Sequence, residues 1–319
     1  MRAFTIKRYG AISDIEPVEL DEPRIGSDEV LVRVKSAAVN PADIKVVTGK
    51  KGARFIHSGK SPIRLGYDFS GVVKEIGNDV SGFVQGDEVF GFLPYSAKTT
   101  QGSFADYVVA KGGAIAKKPA SISHTEAAAA ATTASTALQS LVEIGRIKKG
   151  QRILINGASG GVGSYAVQIA KSYEAEVWGT SSAGNLDFLK SIGADRGLDY
   201  RNIKLKSLCG KFNIVLDAIS NSSFGECSGI LAPHGVYVTL LPSLRFISGK
   251  LHSFFSGRKC AACIVQSRTE DLATIARMID EQVISTQLAA VFPVDELQKA
   301  LATFAAGGVK GKIGIVIEA

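Results

Sequence analysis

Residues 153–171 have the sequence Ile153-Leu-Ile-Asn-Gly-Ala-Ser-Gly-Gly-Val-Gly-Ser-Tyr-Ala-Val-Gln-Ile-Ala-Lys171. The apolar start predicts a buried strand, the glycines a tight turn, and the second half an amphipathic helix. Ala158, Gly160 and Gly163 occupy the three small-residue places of the dinucleotide fingerprint G-x-G-x-x-G, with alanine in the first. Small residues let the main chain approach a pyrophosphate, which the N-terminus of the next helix attracts. The expected contacts are Gly160, Gly161, Val162 and Gly163.

The residues around this turn predict alternating strands and helices. We expect strands at 152–156, 176–180, 212–217 and 235–240, and helices at 162–172, 186–192 and 271–282. Short apolar strands that alternate with helices are typical of a parallel sheet covered on both faces. This part of the chain therefore predicts a doubly wound α/β domain.

The first third of the chain has a different pattern. Residues 30–35 alternate between apolar and polar, and 66–91 contain short apolar runs separated by glycines. That punctuation is typical of a compact antiparallel β-barrel. Near residue 121 the composition changes to an alanine-rich helical segment. The 319 residues also suggest two domains, at about 150 residues each.

The end of the second predicted strand favours NADPH as the cofactor. NAD sites usually have an Asp or Glu there, which binds the ribose 2′-hydroxyl. This chain instead has Thr180, Ser181, Ser182 and Asn185, whose hydroxyl and amide groups can donate to a 2′-phosphate. A carboxylate would repel that phosphate.

A competing motif lies in the same turn. Gly157-Ala-Ser159-Gly-Gly161 satisfies the G-x-S-x-G nucleophile elbow of α/β-hydrolases, and Asp217 and His234 follow in the required order. A Ser159 hydrolase is therefore an alternative, although it leaves the β-rich first third unexplained.

Composition limits the other function classes. The 37 Lys and Arg against 30 Asp and Glu give a net charge of +7, but these cations are spread along the chain, so nucleic acid is not expected as the main partner. Four cysteines do not make a disulfide framework. The chain begins without an apolar signal segment, and we expect a cytoplasmic protein with no stable membrane insertion.

Several ordered motifs make the chain resemble the medium-chain dehydrogenase/reductase superfamily, specifically its zinc-free quinone oxidoreductase branch. They are Val39-Asn-Pro-Ala-Asp43, Gly66-Tyr-Asp-Phe-Ser-Gly71, 80–91, Gly102-Ser-Phe-Ala-Asp-Tyr107, 157–163 and Gly311-Lys312-Ile313. The resemblance implies a GroES-like β-barrel domain over 1–121, completed by 284–319, and a Rossmann NADPH-binding domain over 122–283. Within this branch, residues 40–45 are most similar to those of plant enone and alkenal reductases, including the chloroplast envelope quinone oxidoreductases.

The resemblance also implies a metal-free reaction. Asn40 and Tyr67 stand where zinc-dependent relatives have their catalytic ligands. Without a Lewis acid, the favoured reaction is hydride transfer to an electron-poor acceptor, either a quinone or the C=C bond of an α,β-unsaturated carbonyl such as an enone or alkenal. The candidate catalytic residues are Lys45, Asn40 and Tyr67.

By the same resemblance, further residues are expected at the cofactor. Ser181, Asn185 and Tyr200 would surround the 2′-phosphate, Lys45 and Lys312 would lie beside the cofactor, and Leu240 and Leu241 would contact the nicotinamide. The resemblance also implies a homodimer.

Two open questions remain at the level of sequence. Some relatives bind RNA or serve as structural proteins, so a cofactor-binding protein without turnover is an alternative function. Residues 50–64 and 241–259 are expected to be loops, and their basic and aromatic residues suit a pocket rim, a membrane surface or an oligomer edge.

Overall fold

The computed structural model describes residues 1–50 and 52–317 and divides into two compact units. The first contains Met1–Thr132, Gln266–Glu281 and the segment from Leu288 onward, and the second contains Thr133–Val265 and Gln282–Gln287. Residues 122–132 and 266–281, which we expected in the nucleotide-binding domain, thus group with the first unit. One reason is visible at Thr269, whose hydroxyl donates to the carbonyls of Ile115 and Gly112.

The first unit is built mainly from antiparallel strands. The strands are β1 (Arg2–Ile6), β2 (Glu16–Glu19), β3 (Glu29–Ala38), β4 (Ile63–Arg64), β5 (Asp68–Ile76), β6 (Glu88–Phe92), β7 (Tyr107–Lys111) and β8 (Ile115–Lys117). Two short helices, α1 (Pro41–Thr48) and α2 (Ala53–Ile56), lie between β3 and β4 in the chain. β1, β2 and β4 form a small sheet, whereas β3, β5, β6, β7 and β8 belong to a larger one.

The second unit contains a six-stranded parallel sheet. Its elements are α3 (His124–Leu138, which begins in the first unit), β9 (Arg152–Asn156), α4 (Gly161–Ser172), β10 (Glu176–Ser181), α5 (Leu186–Ser191), β11 (Arg196–Asp199), β12 (Phe212–Asp217), α6 (Phe224–Cys227), β13 (Leu231–Thr239), α7 (Leu244–Ser256) and β14 (Lys259–Ala262). The strand order is β11-β10-β9-β12-β13-β14. The order reverses between β9 and β12, which is where doubly wound sheets bind their ligands.

The chain then returns to the first unit. It forms α8 (Thr269–Asp280), β15 (Leu288–Pro293), α9 (Leu297–Ala306) and β16 (Lys312–Val316). β16 pairs with β3 in antiparallel orientation and with β15 in parallel orientation, which completes a seven-stranded sheet. Ile313 and Ile315 on β16 are fully buried in the core of this unit.

The predicted fold class is confirmed, but the predicted loop at 241–259 is wrong. Most of that segment is helix α7, and its limits have ordinary causes. The Ser243 hydroxyl accepts from the Phe246 amide at the N-terminus, and Gly257 takes a left-handed conformation, φ 62°, at the C-terminus. Leu244, Ile247 and Leu251 recur at helical spacing, a signal that the aromatic and basic composition obscured.

Candidate functional site

The glycine-rich turn joins β9 to α4 at the carboxyl edge of the parallel sheet. Gly157 has φ 83°, and a Cβ there would lie 2.5 Å from Ile219. A Cβ on Gly163 would lie 2.2 Å from the Gly157 carbonyl oxygen, so α4 packs against the turn only because this residue is glycine. At Gly160 a Cβ would meet only that same oxygen, at 3.5 Å. Gly160 therefore leaves open space beside the first turn of α4, as a bound pyrophosphate requires.

A network of buried polar side chains holds the turn in place. The Thr180 hydroxyl accepts from the Gly157 amide at 3.0 Å and donates to Asn156 Oδ1 at 2.7 Å. Asn156 Nδ2 donates to Asp217 Oδ1 at 2.9 Å, and the Tyr237 hydroxyl donates to Asp217 Oδ2 at 2.9 Å. These hydrogen bonds join β9, β10, β12 and β13 near their carboxyl ends. They therefore fix the position of the backbone where the turn begins.

Of the predicted cofactor residues at and after the end of β10, Asn185 contacts the turn. Asn185 Nδ2 donates to the hydroxyl of Ser159, within the turn itself, at 3.3 Å. Ser181 is buried and donates to the Ser182 carbonyl at 3.0 Å, whereas Ser182 is half-buried. The structure thus brings Asn185 to the turn, and its contact with a cofactor stays a prediction.

A cavity of about 410 Å³ opens beside Asn156, the residue that precedes the turn. Its lining includes the predicted Tyr200 and also Lys204, and it adds Lys206, Asn221 and Ser222, which the sequence analysis did not propose as site residues. These residues follow β11 and β12 in the chain, so their position beyond the carboxyl ends of parallel strands was the available signal. Glu226 also lines the cavity, and its carboxylate accepts from the hydroxyls of Ser222 and Ser223, at 3.1 Å each.

The two predicted leucines follow β13. Leu240 is half-buried and its amide donates to the Ser220 hydroxyl at 3.3 Å. Leu241 is 50% exposed. An exposed leucine at the carboxyl edge of the sheet is suited to cover an apolar ring. Their predicted contact with nicotinamide stays a prediction.

In the first unit, Asn40 is buried, and both its backbone amide and its side chain form hydrogen bonds. It precedes α1, and its amide N–H donates to Asp43 Oδ2 at 2.7 Å. Its side-chain nitrogen donates to Asp68 Oδ2 at 2.9 Å, and its side-chain oxygen accepts from Lys312 Nζ at 2.6 Å. Asn40 therefore fixes the start of α1, the helix that carries Lys45.

Lys312 is only 3% exposed and uses its three ammonium protons within the first unit. It donates to the Val39 carbonyl at 2.7 Å, to Asn40 Oδ1 at 2.6 Å and to Asp68 Oδ2 at 3.0 Å. An ammonium has three donors, so in this arrangement none is left for a cofactor. The observed role of Lys312 is to neutralise Asp68, and the predicted cofactor contact gains no support from its geometry.

Tyr67 and Lys45 differ in their surroundings. Tyr67 is 2% exposed, its hydroxyl donates to the Ile56 carbonyl at 2.9 Å, and its ring stacks on Tyr95 at 4.3 Å. Burial, together with the nearby Asp43 carboxyl, raises the pKa of the Tyr67 hydroxyl well above its ordinary value. Lys45 is half-buried in the last turn of α1. Of the three candidate catalytic residues, Lys45 thus has the least buried polar group.

Asp43 is an unexpected buried carboxyl next to this network. It is fully buried, and Oδ1 has no hydrogen-bond partner among the described residues. Burial raises the pKa of Asp43 from 3.8 to about 7, against the lowering effect of the Asn40 amide and of Lys312. The sequence analysis used Asp43 only as part of a motif, because its burial depends on residues distant in the chain.

Comparison with known proteins agrees with this architecture. An alcohol dehydrogenase GroES-like domain matches residues 26–120, and a zinc-binding dehydrogenase domain matches residues 192–315. The chain is 32% identical over 327 residues to the chloroplastic quinone-oxidoreductase homolog of Spinacia oleracea, which covers 98% of this chain and 97% of that protein. The chain belongs to the medium-chain dehydrogenase/reductase superfamily.

Two further similarities are to an enone reductase and to a solved quinone oxidoreductase. The chain is 35% identical over 260 residues to a 2-methylene-furan-3-one reductase of Solanum lycopersicum, a match that covers 77% of this chain and 65% of that protein. The solved quinone oxidoreductase from Coxiella burnetii has a TM-score of 0.90 and 27% identity, and covers 100% of this chain and 99% of that one. Other relatives are named NAD(P)H oxidoreductase. Membership of this superfamily, together with these relatives, supports an oxidoreductase role for the chain.

Although one matching domain of this superfamily is named for zinc, residues 1–50 and 52–317 contain no group of three or more His, Cys, Asp or Glu that could hold a metal ion. Asn40 and Tyr67 occupy the positions implied for zinc ligands, and both are engaged with protein groups. Cys260 and Cys263 are both buried, and the Cys263 thiol donates to the Thr136 carbonyl at 3.9 Å.

The alternative of a Ser159 hydrolase is wrong. Asp217 accepts from Asn156 and Tyr237, not from a histidine. His234 precedes Val236, the residue of β13 that pairs with Ile214 near the start of β12. It therefore lies where the strands begin, at the opposite edge of the sheet from Ser159.

Within the part of the chain that the structure describes, no helix is both long and apolar enough to cross a bilayer. The cytoplasmic location and the homodimer stay predictions.

Proposed function

We propose that this protein is an NADPH-dependent reductase that transfers hydride to a quinone or to the C=C bond of an α,β-unsaturated carbonyl, without a metal. The glycine-rich turn carries the proposal. The space beside Gly160 and the N-terminus of the twelve-residue α4 suit a pyrophosphate. A cavity of about 410 Å³ lies at the same edge of the sheet. The names of the relatives support the two acceptor classes.

The preference for NADPH over NADH rests on charge. The segment 180–185 contains no carboxylate, and Lys204 and Lys206 line the cavity beside Tyr200. Two lysines favour a doubly charged 2′-phosphate, and an aromatic ring can stack on an adenine. The Glu226 carboxylate in the same lining is already engaged by two serine hydroxyls. We therefore propose Ser181, Ser182, Asn185, Tyr200, Lys204 and Lys206 as the group that selects NADPH.

The bound nicotinamide would supply the hydride. The chain must then donate a hydrogen bond or a proton to the oxygen of the acceptor, where negative charge develops. The side-chain donors of Asn40 and Tyr67 are already hydrogen-bonded within the first unit, to the Asp68 carboxylate and to the Ile56 carbonyl. Lys45 is therefore the preferred donor, and Asn40 acts on the reaction by fixing the start of the helix that carries it.

The test is a screen of NADPH oxidation with a benzoquinone, an enone and an alkenal, each with and without a chelator. We expect NADPH to be consumed with at least one acceptor, at a rate that the chelator does not change. Lys45→Met is expected to lower kcat by roughly 10²–10⁴-fold, the usual contribution of a positioned proton donor. The matched variant Lys98→Met, at an exposed lysine in the first unit, should keep the parent rate. If no quinone or activated alkene is reduced, the proposed reaction is wrong.

A further inference from the structure

One segment of the first unit carries cations and no carboxylates. Residues 44–67 contain six Lys or Arg and no Asp or Glu. Three of these cations are exposed, and none of the three forms an ion pair within the part of the chain that the structure describes. They are Lys50, Arg54 and Lys60, which we call the basic patch. Cations without counter-charges on the protein are available to an anionic ligand.

The basic patch begins beside Lys45, the proposed donor. Lys50 and Arg54 lie two residues before and two residues after Gly52. A Cβ added at Gly52 would lie 4.0 Å from Lys45 Cδ. The Ala53 amide donates to the Lys50 carbonyl at 2.9 Å, which fixes the backbone between α1 and α2. The first two cations of the patch are therefore held next to the helix end that carries Lys45.

The other end of α2 is bonded to a neighbouring segment. The Ile56 carbonyl accepts from the Ser96 amide at 3.1 Å, and the Ser58 amide donates to the Thr99 carbonyl at 2.9 Å. The Lys60 amide in turn donates to the Ser58 hydroxyl at 3.3 Å. Residues 96–99 contain no Asp or Glu, so this neighbour brings no carboxylate to the patch.

We propose that the basic patch selects acceptors that carry an anionic group, such as a carboxylate, in addition to the bond that is reduced. Cations of one sign raise the local concentration of an anionic substrate and its rate of association by about 10–10³-fold. Because the patch begins beside Lys45, this effect acts where the acceptor oxygen is expected. The inference rests on the proposed function and makes Lys50, Arg54 and Lys60 specificity-determining residues.

An anionic bilayer fits this surface less well than a small anionic acceptor does. Segments that lie in a bilayer surface bury an apolar face below the lipid headgroups. Among the described residues of 44–67, Phe55 is the one large apolar side chain that is exposed, at 80%. A single phenylalanine is not an apolar face, whereas unpaired cations suffice to attract a carboxylate. We therefore choose the acceptor as the partner of the patch.

The experiment compares two acceptors that differ mainly in charge. For enone reduction they are para-carboxybenzalacetone and its methyl ester, and for quinone reduction they are benzoquinone carboxylate and its methyl ester. At saturating NADPH we expect kcat/KM of the parent to be about tenfold higher for the carboxylate, through a lower KM. The carboxylate-to-ester ratio should decrease as the salt concentration rises, because salt screens exposed charges.

Charge variants test whether the patch causes the preference. Lys50→Gln/Arg54→Gln should lower the carboxylate-to-ester ratio from about ten to about two, since two of the three cations are lost. The matched control Arg24→Gln/Lys148→Gln removes two exposed cations from other segments and should keep the parent ratio. Thermal unfolding of each variant verifies that it is folded.

The outcomes separate this inference from the proposed reaction. A parent ratio near one, with both acceptors reduced, overturns the inference and leaves the reaction standing. An unchanged ratio in Lys50→Gln/Arg54→Gln also overturns the inference, because the preference would then have another source. So does binding to phosphatidylserine vesicles that the same double variant abolishes, since a bilayer would then occupy the patch. Absence of turnover with every acceptor overturns the reaction and the inference together.

Discussion

Lys312 and Asp68 form a buried ion pair at 3.0 Å, with side chains 4% and 0% exposed. Lys312→Met would leave the Asp68 carboxylate without its cation and Asn40 Oδ1 without its donor. Loss of one partner of a buried pair typically costs about 3–5 kcal/mol. We expect this decrease in the free energy of unfolding, measured by urea denaturation.

The matched control for this variant is Lys310→Met, at an exposed lysine two residues earlier in the chain. It should change the free energy of unfolding by less than about 0.5 kcal/mol. A similar effect of both variants would show that the Lys312–Asp68 pair does not anchor α1.

The second prediction at the residue scale concerns pH. Burial raises the pKa of Asp43 from 3.8 to about 7, so between these values the folded chain keeps a proton that the unfolded chain has lost. The stability due to this proton is full below pH 3.8 and is lost as pH rises to about 7. From pH 5 to pH 8 the parent should lose roughly 2–3 kcal/mol through this group.

Asp43→Asn should remove that loss, because an amide does not titrate, while it retains an oxygen for the Asn40 amide. The comparison is the difference between urea denaturation at pH 5 and at pH 8 for parent, Asp43→Asn and the exposed control Asp79→Asn. Parallel pH profiles for all three proteins would mean that the Asp43 carboxyl ionises normally.

Sequence could find these residues but not their partners. The motif around Asn40 was recognisable, yet Asp68 and Lys312 are 28 and 272 residues away from it in the chain. The family resemblance placed Lys312 beside the cofactor, and its burial against Asp68 was not apparent from the sequence. Hydrogen bonds between such distant residues are formed by the fold and leave no local pattern.

At the scale of elements, the turn before α4 contains one glycine that is required for packing, Gly163, and one that leaves space for a ligand, Gly160. Gly163 is needed for packing, since an added Cβ would lie 2.2 Å from the Gly157 carbonyl oxygen. Gly160 has ordinary backbone angles, φ −80° and ψ 178°, and open space for a Cβ. Gly163→Ala should therefore cost roughly 1–3 kcal/mol of stability, the usual effect of overpacking.

Gly160→Ala should leave the stability within about 0.5 kcal/mol of the parent. The added methyl would fill the space beside α4, so NADPH should bind about tenfold more weakly, which corresponds to 1.4 kcal/mol. Calorimetric titration and thermal unfolding of both variants measure the two effects. Unchanged NADPH affinity of Gly160→Ala would remove this turn from the cofactor site.

Elements were predicted well where periodicity was regular. The strand at 212–217 has the predicted limits, and α4 begins one residue before the predicted helix. Helix α7 was missed because its exposed face is apolar, whereas the helix pattern of a soluble domain has polar residues on that side.

At the scale of the whole molecule, the change in sequence pattern predicted both fold types. Alternating strands and helices indicated the parallel sheet, and glycine-punctuated apolar runs indicated the antiparallel one. The grouping of 266–281 with the first unit was not predictable from pattern, because it depends on contacts such as those of Thr269 with β8 and the residues before it.

The most direct test of the account is a calorimetric titration of the full chain with NADPH and with NADH at the same ionic strength. The turn at Gly160, the absence of a carboxylate at 180–185 and the lysines of the neighbouring cavity predict one site per chain, with NADPH bound at least about tenfold more tightly. No binding of either nucleotide, or tighter binding of NADH, would contradict it.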